Sequence, residues 1–320
     1  MLSDREGETV KLNRYLSLML ALMAFSTSPM FADSDVDVDM TDLGPQDMNA
    51  SAKKSPFSLA GRVDAIKKTE ISQGYFKGDT FHFSTGEAEA GMVFYYCPAY
   101  SEGANVAITY TSSLIDWQNN PWFCQDHFNT VTFTLGGMTK RIKGWFWQAQ
   151  VGVNVDADEW DLVDYANYDL LLWGRYEYCP HIGVHIGFIA QTGMQMDRVY
   201  PILGADWRIS RNWKLNLVYP VNVSLEYLIT DNWSVYVGGR TFNVRYRVGK
   251  HESSPKNVIR YENLGAEAAV VYQNDFTSAN IHVGSTLGGK FRVANEHNDH
   301  PHHYKLRPSG YVGGEVVVKF

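Results

Sequence analysis

Beyond its first 25 residues the chain has no uninterrupted apolar run approaching the ~20 residues that a membrane-spanning helix requires. A basic excess is also missing. Lys and Arg number 28 against 35 Asp and Glu, giving a net charge of −7 and a pI near 5.8. That balance argues against a nucleic-acid partner, which would need a cationic face. No Ser–His pair with an orienting group is recognisable, and no paired carboxylates stand beside His185, so no enzyme and no cofactor are expected. What the chain does have is 45% hydrophobic residues, too many for a disordered polymer, in 320 residues. That length allows either two ordinary domains or one large barrel. It also has 19 Tyr, 16 Phe and 9 Trp at a mean hydropathy of −0.27. A membrane barrel with interfacial aromatic girdles calls for such a combination.

The N-terminus reads as an export signal over residues 1–32. Lys11 and Arg14 precede an apolar stretch at 15–25, small and turn residues follow, and Ala32 offers a cut site. Asp4, Glu6, Glu8 and the bulky Met30 depart from the usual pattern. Residues 33–56 read as an acidic flexible segment, because the alternating aspartates lack the Gly and the bidentate Glu of a calcium loop. The signal contains three basic and three acidic residues, so the mature chain keeps its net −7. Residues 57–320 are then the folded unit.

From about residue 57 the pattern has period two. Trp145, Trp147, Ala149, Val151, Val153 and Val155 fall on one face of a strand, and Gln148, Gln150, Gly152 and Asn154 on the other. Similar alternation runs through 130–135, 213–219, 223–229 and 279–290, whereas 57–85 and 259–272 fit less cleanly. A phase change near Gly238-Gly239 suggests a glycine bulge. A soluble periplasmic sandwich also alternates. Here, though, the polar face is rich in Gly, Asn, Gln and Thr, and the apolar face ends in Trp or Tyr, as in a transmembrane antiparallel β-barrel. About 12–14 strands are expected. Asn-Trp at 212–213 and 232–233 directly follows a turn signal, marking short periplasmic hairpins. The longer polar stretches 114–128, 156–166, 191–199, 249–257 and 294–308 would be external loops.

The segment 311–320, YVGGEVVVKF, ends on an aromatic carboxyl terminus with Val312, Val316, Val318 and Phe320 on one face. It resembles the terminal signal read by the β-barrel assembly machinery of bacterial outer membranes. Over 198–293, PILGADW at 201–207, NWKLNLVYP at 212–220 and LEYLITDNW at 225–233 resemble an uncharacterised family of exported bacterial outer-membrane β-barrel proteins. The Arg245-Tyr-Arg and Arg260-Tyr-Glu-Asn segments continue that likeness. The first half, bearing Tyr and Cys, shows a weaker likeness to porin-type proteins of chlamydia-related bacteria. These resemblances imply a bacterial outer-membrane location and outer-membrane lipid as surroundings; the family carries no established activity.

Candidate pore-lining residues are Gln148, Gln150, Arg175, Lys214, Glu226, Glu267, His282, Lys290 and Glu315, whose mixed signs give no strong ion preference. Glu87 and Glu89 share the lumen face. His297, His300, His302 and His303 cluster near Asp299 as a speculative metal set, without any structural-zinc spacing. Cys97 and Cys179 both stand in Tyr-Cys-Pro at inner turns, but three strands separate them, beyond bridging distance, and Cys124 lies in an outer loop. The reading is a passive porin-like channel for small solutes. Its alternative is a closed structural or adhesive envelope barrel acting through its loops.

Overall fold

The computed structural model describes residues 56–194, 197–220, 222–254 and 256–320. The signal segment 1–32 and all but the last residue of the acidic segment 33–56 lie outside the described residues. The strands are β1 (Phe57–Glu70), β2 (Thr80–Cys97), β3 (Glu102–Trp117), β4 (His127–Thr139), β5 (Trp145–Asp156), β6 (Ala166–Cys179), β7 (Ile182–Gly193) and β8 (Arg198–Arg208). They continue as β9 (Trp213–Tyr219), β10 (Asn222–Leu228), β11 (Trp233–Arg247), β12 (Val258–Gln273), β13 (Thr277–Thr286), β14 (Lys290–Ala294), β15 (His302–Lys305) and β16 (Gly310–Lys319). Each strand from β1 to β12 pairs antiparallel with the next, and β16 pairs with β1 to close the ring. The register that sets Ser285 opposite Gly310 continues, five residues on and five back, to Lys290 opposite Lys305. So β13 and β14 are two lengths of one barrel strand, β15 and β16 two lengths of another, and the closed barrel has 14 strands.

Alternation holds around the ring. Leu59, Val63, Ile108, Leu135, Val151, Ile186, Leu203, Val237, Ile281 and Val312 are exposed on the outside. Arg62, Thr109, Thr132, Gln150, Asp169 and Gln191 point inward beside them. At the end carrying the short turns, outward aromatics form pairs: Trp145 with Tyr176, Trp213 with Tyr227, Trp233 with Tyr272, Phe57 with Phe320. The repeated Asn-Trp has a local cause. Ser210 Oγ and Thr230 Oγ1 accept from the following Asn and Trp N–H groups. Each Asn side chain then donates to the last carbonyls of a neighbouring strand, Asn212 to Leu228 and Asn232 to Gln273, both at 2.8 Å.

One part of the wall leaves the ring. Strands β9 and β10 have seven residues each, while β11 has 15, and β10 pairs with β11 only as far as Gly238. Above that point β11 keeps its ladder with β12 alone. Its residues Phe242, Asn243, Val244, Tyr246 and Arg247 are all buried, so both faces of the strand are covered. Tyr246 stacks on Phe128 of β4 at 5.1 Å and donates to Ser113 Oγ of β3 at 2.7 Å. Strand β4 stands on the far side of the ring from β11. A 14-strand ring has a diameter of about 28 Å from strand spacing and tilt, far more than two side chains can bridge. The upper halves of β11 and β12 therefore fold inward across the lumen.

This corrects two expectations. The register of β11 with β12 runs unbroken through Gly238 and Gly239, so there is no bulge. The apparent phase change marks where the strand stops facing the exterior and becomes buried on both sides. The expected loops at 114–128 and 294–308 are shorter than read, because β3 continues to Trp117 and β15 occupies His302–Lys305.

Candidate functional site

The lumen holds three kinds of surface. At the loop end, inward residues of β2, β3 and β4 meet the folded-in sheet in one aromatic core. Tyr261 stacks on Phe83 at 4.5 Å and on Phe81 at 5.6 Å, Phe291 lies against Phe81 at 5.0 Å, and Trp117 packs edge-on to Tyr304 at 4.6 Å. The tip of the β11–β12 hairpin is tied to the opposite rim. Lys250 reaches Glu159 at 2.9 Å, Lys256 reaches Asp164 at 2.6 Å, and the Gly249 N–H donates to Gln125 Oε1. Tyr165 donates to the Val248 carbonyl, and burial pushes its hydroxyl up to about 12. The hydrogen bond to Lys250 holds the Glu159 carboxyl below its ordinary value and raises the Lys250 ammonium.

Below the aromatic core is a buried ionic cluster. Asp64, with no exposed surface, accepts from Arg62 Nε at 2.8 Å and from Arg240 Nη1 at 3.5 Å, and meets His282 Nε2 at 2.6 Å. Arg240 grips Glu267 with two parallel bonds of 2.5 and 3.0 Å, and Tyr236 and Tyr311 donate to the same carboxylate. Two carboxylates and two guanidinia balance, which is what makes such burial sustainable. A second cluster lies near the turn end. Arg175 holds Asp206 through bonds of 2.7 and 2.9 Å, His185 Nε2 meets Asp206 at 2.6 Å, and Trp173 Nε1 donates to His185 Nδ1. Both ring nitrogens of His185 are thus engaged within the cluster.

The third surface is a cavity of about 470 Å³ along β1–β7, with Asn243, Val244, Arg245 and Tyr246 of the folded-in strand bordering it. Its wall carries a polar ladder. Thr132 donates to Asn154, Asn154 donates to Asn167 and Asp169, and Gln191 donates to Asp169.

The expected pore residues divide among these surfaces. Gln148, Gln150 and Glu315 border the large cavity, together with Glu87 and Glu89. Arg175 and Lys214 border a smaller cavity at the turn end. Glu226 faces inward opposite Lys214, and Glu267 and His282 are buried inside the ionic cluster. Lys290 is placed differently from its expected lumen position. The register slips by one residue around Gly288 and Gly289, reversing the alternation, so that Phe291 enters the core and Lys290 takes the other face. Val312, Val316, Val318 and Phe320 lie on the exterior, and Val317 turns inward.

The four loop histidines are spread apart in the structure. Among the described residues no group of three or more His, Cys, Asp or Glu side chains is placed to hold a metal. His302 and His303 occupy successive positions of β15 and so point to opposite faces. His302 lies against Trp122, and His297 is near Glu296, so the four imidazoles do not converge. Cys97, Cys124 and Cys179 are all free thiols.

Asp64, Arg240, Asn243, Arg245 and Tyr246 are central to the lumen but carry no local period-two signal that marks them as lumen residues. Asp64 and Arg240 are 176 positions apart, so nothing local announces their contact.

No family model matches the chain. It is 25% identical over 197 residues to an uncharacterized protein of Chlamydia pneumoniae, covering 60% of this chain and 61% of that one. A second uncharacterized protein, from Chlamydia trachomatis, gives 24% over 196 residues, and the match again spans about three fifths of each chain (60% and 61%). A protein of Chlamydia muridarum is 24% identical over 283 residues, covering 85% and 88%. Among solved structures, an outer membrane channel from Pseudomonas putida F1 superposes with a TM-score of 0.47 at 8% identity, over 83% of this chain and 96% of that one. A mutant of the TodX monoaromatic hydrocarbon channel gives 0.38 at 8%, over 86% and 93%. The barrel assignment itself rests on the closed strand ladder.

Proposed function

We propose that the chain is a bacterial outer-membrane barrel that passes small polar solutes. The observation carrying this reading is the cavity along β1–β7, whose wall sets Thr, Asn, Gln and charged side chains among apolar ones such as Met138, Leu171 and Ile189. The outward aliphatic band and the aromatic pairs at the turn end support lipid as the surrounding solvent. The folded-in β11–β12 hairpin supports a second reading, a barrel closed at its loop end. Single-channel recording in planar bilayers separates them. The channel reading expects discrete steps, smaller than those of an open porin of similar strand number, and rising when the hairpin is loosened. A complete absence of steps in both the wild type and a loosened variant would leave the closed, structural barrel.

A further inference from the structure

The connection between β5 and β6, residues 157–165, has two faces. Its turns are held by side chains: Asp156 accepts from the Asp158 and Glu159 N–H groups, and Asp161 from those of Val163 and Asp164. One face grips the folded-in hairpin. Glu159 takes Lys250, Asp164 takes Lys256, and the buried Tyr165 donates to the Val248 carbonyl. The other face lies on the outside of the wall. Phe133, Val153 and Tyr168 are cross-strand neighbours in one outward row, and the loop touches both ends of it. Trp160 lies against the Phe133 ring with centroids 6.5 Å apart, and Tyr168 donates to the Leu162 carbonyl at 2.8 Å. In the next row toward the loop, Val155 and Ala166 keep the outward phase of their strands, yet they are 1% and 0% exposed. The loop therefore folds down over the exterior face.

What the loop presents outward is apolar. Trp160 is 66% exposed, Leu162 58% and Val163 84%. Other tips at this end are built differently, since 249–257 and 295–301 contain no Val, Ile, Leu, Phe, Tyr or Trp. An exposed apolar cluster of this kind marks a contact surface. Its height fits one partner. From Trp145, in the aromatic pairs of the turn end, to Val155, ten residues of β5 at ~3.3 Å each and a tilt of ~40° rise about 25 Å, the height of an outer-membrane apolar band. Trp160 thus stands at the level of the second girdle, where an amphipathic ring is favoured. The carboxylates of Glu159 and Asp164, which lipid would exclude, are turned to Lys250 and Lys256.

We propose that this loop is a clasp between the membrane and the folded-in hairpin. Trp160, Leu162 and Val163 seat in the lipid boundary at the loop end, and Glu159, Asp164 and Tyr165 carry that anchorage to the hairpin tip. The occupant is lipid because the patch continues the outward aliphatic band through Phe133 and Tyr168. The clasp rests on the membrane-spanning reading of the barrel and is independent of conduction.

The test uses the mature chain folded into phosphatidylcholine vesicles whose acyl chains are plain or brominated near the headgroup. The emission lost in Trp160→Phe isolates that indole, and Trp213→Phe isolates an outward indole of the turn end. Brominated lipid should quench both. Quenching of Trp213 without Trp160 would overturn the lipid seat, whether the loop then stands in water or against a second copy of the chain. Quenching of neither would remove the membrane reading itself. The coupling has its own readout. Replacing the two exposed side chains together, Leu162→Ser with Val163→Ser, should lessen the quenching of Trp160. It should also speed hydrogen exchange at 249–254 roughly tenfold, the scale set by withdrawing one apolar side chain from lipid, with β5 unchanged. Glu159→Gln with Asp164→Asn should speed the same exchange and leave Trp160 quenched. Exchange at 249–254 unaltered by the serine pair, with Trp160 quenched in the wild type, would overturn the clasp and leave a lipid contact alone.

Discussion

Glu267 receives four hydrogen bonds, from Arg240 twice and from Tyr236 and Tyr311, while 5% exposed. Its value to the fold is chiefly that it balances Arg240. Removing one member of a buried pair leaves the other charge uncompensated, typically a loss of 3–5 kcal/mol, about the scale at which a fold becomes marginal. Glu267→Gln should therefore lower the denaturant midpoint of the folded barrel strongly. Asp206→Asn should cost less, because its cluster lies closer to water, at 14% side-chain exposure. The urea unfolding midpoints of the two variants check this order. Position 320 makes a different point. Phe320 is 56% exposed beside Phe57, whereas Val317 is 9% exposed and inward-facing. Phe320→Ala is expected to reduce membrane assembly more than Val317→Ala, measured as the heat-modifiable band after expression. Equal assembly would remove the terminal-signal reading.

At the scale of elements, the period-two pattern was legible wherever a strand had lipid-type surroundings on one side and a wet lumen on the other. That is why 145–155 and 311–320 could be assigned to faces residue by residue. The same logic failed at 239–248 and 259–264, since a strand covered on both sides has no reason to alternate. It failed at Lys290 because a one-residue slip at glycines inverts every later side chain. The inward fold itself depends on the shortness of β9 and β10, and on aromatic contacts between segments more than 100 residues apart, such as Phe128 with Tyr246. Neither is written in local spacing. The hairpin can be loosened at that contact. Tyr246→Ala removes both the stacked ring and the bond to Ser113, a truncation of the kind that costs about 3–5 kcal/mol in a core. Larger conductance steps in planar bilayers are expected, with strand content by circular dichroism unchanged.

The ties at the hairpin tip give that element a pH dependence. The Glu159 carboxyl is held below its ordinary value of 4.5 by Lys250, so the contribution of this pair is fully present above 4.5 and fades as pH falls further. Asp161, held down by the N–H groups of Val163 and Asp164, acts in the same direction. Hydrogen exchange at 249–254 should accelerate below about pH 4, beyond what the intrinsic rate explains, while exchange in β5 stays unchanged. Glu159→Gln should abolish part of that acid step.

The described residues form a ring with an aliphatic band outside, polar and aromatic surfaces inside, and a sheet folded across the lumen, so one strand tests the arrangement most directly. On β5, Val151 is 47% exposed between Leu135 at 54% and Leu170 at 39%, its cross-strand neighbours in the outer band. Gln150, one residue away, borders the cavity. Successive side chains on a strand point to opposite faces, so a single residue step moves an added charge from hydrocarbon to a wet interior. Val151→Arg should cost about 2–4 kcal/mol if the band lies near the bilayer midplane, and yield little folded barrel in lipid. Gln150→Arg should fold normally, because its guanidinium can be hydrated and can reach the carboxylates lining the same cavity, and should move the reversal potential toward anions. The measurement is folding yield into lipid vesicles for both variants, followed by conductance of the survivor. Normal folding of Val151→Arg would contradict a membrane-facing exterior, whatever the lumen does. A folded Gln150→Arg barrel that stays silent, as its parent does, would retain the barrel and assign the folded-in sheet the part of a permanent closure.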